Sequence, residues 1–284
     1  MTHTWVDGVE TDVIPCDDRG LSYADGVFET LACDAGRIGC AELHLLRLID
    51  GLSRLRFDDA DRAARRIFRD AQALILRVKH TGAARLTVTR GSGPRGYSPP
   101  SRCLPRFVLA TASSLPLSSS DLRCGIASTR WSANTQLAGI KSLARVEQVL
   151  AAQEAQRQGW DDVIMLDEAG GVVSSSKGNL FLLNGNRAVT PALDRCGIAG
   201  TRRQLLMETV LPDLGYGVHV DSVPLEALLS AESAIICNTI IGARPVSQVG
   251  DRTFAVGPRC AEIQARLSAC IARSEEHTSE LQSP

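Results

Sequence analysis

A chain of 284 residues that is 44% hydrophobic and 22% charged can bury one large core or two modest ones, and nothing in its make-up suggests disorder. Its 31 Lys and Arg offset 32 Asp and Glu, so no field of one sign is available to hold a nucleic-acid backbone or an anionic membrane, and a small-molecule partner is favoured. The polar start MTHTWVDGVETDVIP lacks a secretory pattern, no apolar run reaches membrane-spanning length, and nine scattered cysteines include no CxxC pair, so a cytoplasmic protein with reduced, mostly buried thiols is expected.

From Trp5 to Ala112 strand-like and helix-like segments alternate. Between Cys40 and Phe57, Leu43, Leu46 and Ile49, with Leu45, Leu48, Leu52 and Leu55, recur at helical spacing and predict an amphipathic helix. A second helix is predicted from Asp59 to Lys79. ARLTVTR and PRFVLATA read as strands flanking the loop GSGPRGYSPP, a hairpin with a long tip. Residues 113–120, rich in Ser and Pro, read as a linker between domains at 1–112 and 121–272. The second domain opens with LRCGIAST and a helix from Ala144 to Gln158. A meander of short strands follows through WDDVIMLDEAGGVVSSSKGNLFLLNGNRAVTP. A helix from Thr201 to Pro212, the strand GVHVDSV, a short helix near Leu225, the strand SAIICNT and a helix from Pro258 to Ala272 complete an α+β chain of two α/β domains. Residues 273–284 resemble the translated read-through of a sequencing adapter and are expected to stand outside the natural fold.

Five histidines form no HExxH motif and no GxxxxGK[ST] loop occurs, which argues against metal and P-loop chemistry. Lys141 follows Gly-Ile and precedes a helix, a place from which an amine can project, and burial would turn such a lysine into a nucleophile. Arg47 reads either as a polar-face residue or as a guanidinium fork suited to a phosphate dianion. Gly197, Gly200 and Thr201 read as a capping turn or as a phosphate turn, where small residues and helix N-terminal amides favour an anion. Arg90, Arg95 and Tyr97 read as a surface loop or as a recognition site for carboxylates.

GIKSLARVEQVLAAQ resembles the lysine segment of the aminodeoxychorismate lyases, members of the fold-type IV enzymes that use pyridoxal 5′-phosphate (PLP). DRGLSYADGVFET (Asp18 to Thr30) is similar to that family's N-terminal active-site strand and turn. ELHLLRL puts Arg47 where the family presents an arginine to the PLP phosphate, and RGSGPRGY (Arg90 to Tyr97) resembles the lyase form of the substrate loop. KGNLFLL, GIAGTRRQ and IICNTIIGARPV extend the resemblance over nearly all of residues 5–255. It implies PLP attached to Lys141, with its phosphate held by Arg47, the amides of Thr201 and Arg202, and Thr239. It also places Ser174 and Asn179 beside the cofactor. Phe28, Arg90, Arg95 and Tyr97 would surround a substrate with two carboxylates, Thr30 would help protonate the leaving oxygen, and the chain would form a homodimer.

The family usually carries a glutamate five residues before the Asn of NLF, and Ser174 stands there instead. An ionised glutamate keeps the pyridine nitrogen protonated, whereas a serine hydroxyl can only hydrogen-bond it. Transamination gains most from a protonated ring, so Ser174 favours elimination: 4-amino-4-deoxychorismate to 4-aminobenzoate and pyruvate. Ala144 replaces the Asn that the lyases often have. A D-amino-acid or branched-chain aminotransferase, and a silent dimeric relative weakened by Ser174, are the alternatives.

Overall fold

The computed structural model describes residues 2–113 and 121–280, with side chains as far as residue 274. The chain divides into two compact units, one of Met1–Pro116, Ile140–Ala144 and Ile271–Pro284, the other of Leu117–Gly139 and Arg145–Cys270. The linker read at 113–120 falls almost wholly outside the described residues. The segment carrying Lys141 belongs with the N-terminal unit rather than with a 121–272 domain. Its reason is non-local pairing: Phe28 N–H donates to Lys141 O at 3.0 Å and Leu143 N–H to Gly26 O at 3.0 Å.

The first unit holds strands β1 (Thr4–Val6), β2 (Val9–Glu10), β3 (Gly26–Asp34), β4 (Arg37–Ile38), β5 (Gly82–Thr89) and β6 (Arg106–Ala112), joined in the order β2-β1-β6-β5-β3-β4. Its helices are α1 (Arg19–Tyr23), α2 (Ala41–Arg54) and α3 (Ala60–Arg77). On α3 the buried Ala64, Ile67, Phe68, Ala71, Leu74 and Ile75 repeat at three- and four-residue steps, the spacing of one helix face. On α2 the buried stripe is Ala41, His44, Leu48, Gly51 and Leu52, while Leu46, one of the apolar residues at helical spacing, is 50% exposed. Gly51 lets α2 lie close on β3, since a Cβ there would stand 3.1 Å from Val27 Cγ1. Strand side chains alternate, so α2 covers the Val27, Glu29 and Leu31 face of β3, and Phe28 and Thr30 occupy the other.

In the second unit nine strands form one mixed sheet. They are β7 (Leu122–Ile126), β8 (Asp162–Leu166), β9 (Val172–Ser175), β10 (Asn179–Asn184), β11 (Arg187–Pro191), β12 (Gly217–Asp221), β13 (Ser233–Asn238), β14 (Gly242–Val249) and β15 (Arg252–Thr253). Their order is β12-β11-β10-β13-β14-β7-β8-β9, with β15 on β14. β8 is buried on both faces, Ile164 and Leu166 entering one apolar cluster with Leu180, Leu182 and Ile236, and Val163 and Met165 another with Trp131 and Val173. Helix α4 (Val146–Gln158) starts two residues later than predicted. Helix α5 (Thr201–Leu205) passes through a π-helical turn, Leu206–Val210, into Leu211–Asp213. The short helix near Leu225 is α6 (Leu225–Ser230). Helix α7 (Pro258–Glu280) continues past the predicted end at Ala272. Strand β14 was absent from the predicted elements; it pairs antiparallel with β13 and parallel with β7. Seven of the nine cysteines are buried, as the composition suggested.

Candidate active site

Lys141 is positioned by strand-like pairing rather than by a helix. Val27 and Ser142 form an antiparallel bridge, which fixes the backbone on both sides of the lysine. Its Nζ stands 4.2 Å from the centroid of the Phe28 ring, and the Arg85 guanidinium covers the same ring at 3.7 Å. Thr30 pairs with Arg85 across β3 and β5, so Phe28, Thr30, Arg85 and Lys141 gather on one face of the first unit. Arg85 was not singled out from the sequence; among the described residues no carboxylate forms an ion pair with it. The signal was available in the register, since a residue directly opposite Thr30 must share its face.

Arg47 lies on the helix-covered face. Its Nε donates to Glu29 Oε1 at 2.8 Å and its Nη2 to Oε2 at 2.5 Å, while His44 Nδ1–H donates to Glu29 Oε2 at 2.6 Å. Burial pushes the Glu29 carboxyl up, but Arg47 and His44 outweigh it and hold the group down at about 2. The Nε and Nη2 of the guanidinium read as a phosphate fork are therefore committed to a carboxylate. This ion pair also explains why a histidine occupies the core stripe of α2. Neither Glu29 nor His44 was recognised in the sequence, because the pairing crosses from strand to helix.

Arg90 is a correction. It is buried, its Nε donating to Asp25 Oδ2 at 2.8 Å, its Nη1 to Arg56 O at 3.1 Å and its Nη2 to Leu55 O at 2.6 Å, with the guanidinium 4.0 Å over the Phe57 ring. Every nitrogen of the fork is spent within the fold, ending the α2–α3 connection against β5, and none is left to receive a substrate carboxylate. Arg95 and Tyr97 stay exposed, Tyr97 at 88%, edge-on to Tyr23. Their loop is gripped from below by the buried Arg19, which donates to the carbonyls of Gly96 at 3.0 Å and Tyr97 at 2.8 Å and to Asp25 at 2.9 Å.

In the second unit the residues read as a phosphate turn converge. Gly200 is the N-cap of α5, and a Cβ on it would lie 2.1 Å from Asn179 Oδ1; Asn179 in turn donates from Nδ2 to Ile198 O at 2.9 Å. Thr201 and Thr239 bring their hydroxyls to 3.5 Å of each other, and Arg202, next to Thr201 in sequence, is fully buried. Two hydroxyls, a side-chain-free N-cap and the N–H groups of a helix start are a donor set that fits a phosphate dianion. Gly139 N–H donates to Gly197 O, and Ala199 N–H to Gly139 O, both at 3.0 Å, so this turn is tied to the segment at Gly139.

Ser174 is buried on β9, where it accepts the Trp131 indole N–H at 3.0 Å. Among the described residues no cluster of His, Cys, Asp and Glu could hold a metal, and no helix is long and apolar enough to cross a membrane.

Residues 26–249 match the family model for amino-transferase class IV, and the chain belongs to that PLP-dependent family. Within the family it is 29% identical over 272 residues to the aminodeoxychorismate lyase of Vibrio harveyi, covering 93% of this chain and 99% of that protein. It superimposes on the crystal structure of 4-amino-4-deoxychorismate lyase from Pseudomonas aeruginosa with a TM-score of 0.86 and 34% identity, over 94% of this chain and 98% of the other. A putative branched-chain-amino-acid aminotransferase of Methanocaldococcus jannaschii is 28% identical over 242 residues, 84% of this chain and 83% of its own length.

Proposed function

We propose that this chain is a PLP-dependent lyase that converts 4-amino-4-deoxychorismate to 4-aminobenzoate and pyruvate. The observation that carries the choice of reaction is Ser174: a neutral hydroxyl, engaged by an indole, where a carboxylate would keep the cofactor ring protonated. Likeness to two lyases along nearly the whole of both chains supports the same reading.

The hydroxyls of Thr201 and Thr239, the amides of Thr201 and Arg202, and Arg47 would hold the phosphate, with Asn179 bracing the turn. PLP, bound covalently at Lys141, supplies an electron sink conjugated to the amine-bearing carbon of the substrate. Lys141 Nζ would act as the base that takes the proton from that carbon. The adjacent C–O bond then breaks, the electron pair leaves with the enolpyruvyl oxygen, and the ring becomes aromatic; the enolpyruvate gains a proton and rearranges to pyruvate. Thr30, on the same face as Lys141, is the group assigned to the leaving oxygen. Arg85 takes the role read for Arg90 as partner of one substrate carboxylate, with Arg95 and Tyr97 available to the other and Phe28 as the apolar floor.

The likeness to a putative branched-chain aminotransferase supports a second reading, transamination on the same fold. Pyruvate release from aminodeoxychorismate without any added keto acid, lost by at least about a hundredfold in Lys141→Ala, is expected. Glutamate transamination in the absence of pyruvate release would overturn the lyase. A homodimer in the cytoplasm belongs to the same proposal; the molar mass in solution by light scattering tests the first part and fractionation of the source cells the second.

A further inference from the structure

Strand β9 is irregular where Ser174 sits. Met165 pairs with Ser174 and Leu166 with Val172, so Val173 is an extra residue and the ladder bulges. Met165, Val173 and Trp131 share one apolar cluster, so the bulge turns two successive residues, Val173 and Ser174, to the same side of the sheet. There Ser174, 4% exposed, meets the edge of the buried Trp131 indole. Trp131 is itself pinned, its backbone N–H donating to Leu166 O at 2.9 Å and its ring lying 5.3 Å beneath the Arg145 guanidinium. Val173 adjoins the turn before α5, since a Cβ on Gly197 would come within 3.0 Å of Val173 Cγ1.

An indole N–H can only donate, so at this contact Ser174 Oγ must accept. The hydroxyl proton is thereby directed away from Trp131, and among the described residues no protein acceptor takes it. A buried hydroxyl whose proton is unspent is ready for an acceptor brought by a ligand.

We propose that Trp131 is a positioning residue that commits the Ser174 hydroxyl to donate, so that this chain holds the pyridine nitrogen of its cofactor unprotonated and hydrogen-bonded. The inference rests on the reading of Lys141 and Ser174 given above and adds to it the state of the ring and the residue that sets it. A serine free to rotate could either donate to a neutral nitrogen or accept from a protonated one; with the indole N–H on one lone pair and no protein acceptor for the hydroxyl proton among the described residues, accepting again would leave that proton buried and unpaired, so donation is favoured. The hydroxyl lost in Ser174→Ala and the N–H lost in Trp131→Phe therefore have different effects. Ser174→Ala leaves the nitrogen without a protein partner, and Trp131→Phe leaves it with a partner of unfixed direction.

The test is nitrogen-15 NMR of the full chain loaded with PLP labelled at the ring nitrogen, at neutral pH, with attachment checked by borohydride reduction and peptide mapping. A modified Lys141 with the ring nitrogen resonating in the range of an unprotonated, hydrogen-bonded pyridine is expected in the wild type. Ser174→Ala should move the resonance toward that of a pyridine lacking a donor, and Trp131→Phe should move it toward the protonated range. A resonance indifferent to Trp131→Phe in a variant that still modifies Lys141 would overturn the role of Trp131 alone; a protonated nitrogen in the wild type would overturn it and withdraw Ser174 as support for elimination, the lyase reading then being decided separately by pyruvate release. Absence of a modified Lys141 in the wild type would overturn both. Should Trp131→Phe fail to fold, the wild-type resonance and its response to Ser174→Ala still decide.

Discussion

Arg85 and Arg90 are five residues apart, yet the fold gives them opposite fates. Arg90 is sealed against Asp25, two carbonyls and the Phe57 ring, whereas Arg85 is solvent-exposed above Phe28 with no carboxylate paired to it among the described residues. Removing one partner of a buried ion pair strands the other in a poor environment, which typically costs about 3–5 kcal/mol. Arg90→Ala should therefore lower the unfolding free energy measured in urea by that order, with KM little changed in the protein that remains folded. Arg85→Ala should leave the unfolding curve within about 0.5 kcal/mol and raise KM for a dicarboxylate substrate roughly tenfold to a hundredfold, the worth of one charge-assisted hydrogen bond. Steady-state kinetics and denaturation of the same two variants check both halves. Nothing local separates these arginines. Alternation along ARLTVTR predicts the strand, but the carbonyls that consume Arg90 belong to Leu55 and Arg56, distant in the chain.

At the scale of elements, the legible parts were those whose signal is local. The apolar repeat of α3 and the runs of β8 and β10 needed no partner to be recognised, and the helix predicted from Thr201 differs from the observed one chiefly in its π-helical turn. On α2 the apolar repeat runs through the exposed Leu46, while His44 fills a core position by virtue of Glu29, a residue fifteen positions earlier on β3. Likewise the Lys141 segment reads as the approach to a helix, while its hydrogen bonds go to Gly26 and Phe28. The turn between β11 and α5 was legible from its glycines, and its tolerance can be measured. Gly200→Ala would drive a methyl group into Asn179 Oδ1, whose amide is pinned to Ile198 O, so either the turn or Asn179 must move. A loss of about 1–3 kcal/mol in stability is expected from such overpacking, and PLP affinity by fluorescence titration should fall about tenfold or more. Unchanged affinity would show that the phosphate does not approach this N-cap.

For the whole molecule, the Glu29 cluster sets an acid limit. The carboxyl drops from an ordinary 4.5 to about 2 on folding, so the folded state keeps it ionised where the unfolded chain would protonate it. Stability from this group is complete above the unfolded value and is lost as the pH falls from about 4.5 toward 2. Glu29→Gln should reduce the thermal midpoint at neutral pH and flatten its decline through that window, which a series of melts across the acid range will read. A midpoint with the wild-type slope would place the acid sensitivity elsewhere.

The bulge in β9 has a bearing on counting. Deleting Val173 would leave Ser174 opposite Met165 and Val172 opposite Leu166, the alternation of an uninterrupted ladder, so the extra residue alters chain length without altering which way Ser174 faces. A relative one residue shorter between β8 and β9 would thus present the same serine position. Numbering backward from Asn179 arrives at that position before the bulge is crossed, and numbering forward from Asp167 arrives one residue late. Alignments of this segment should be anchored on the downstream asparagine.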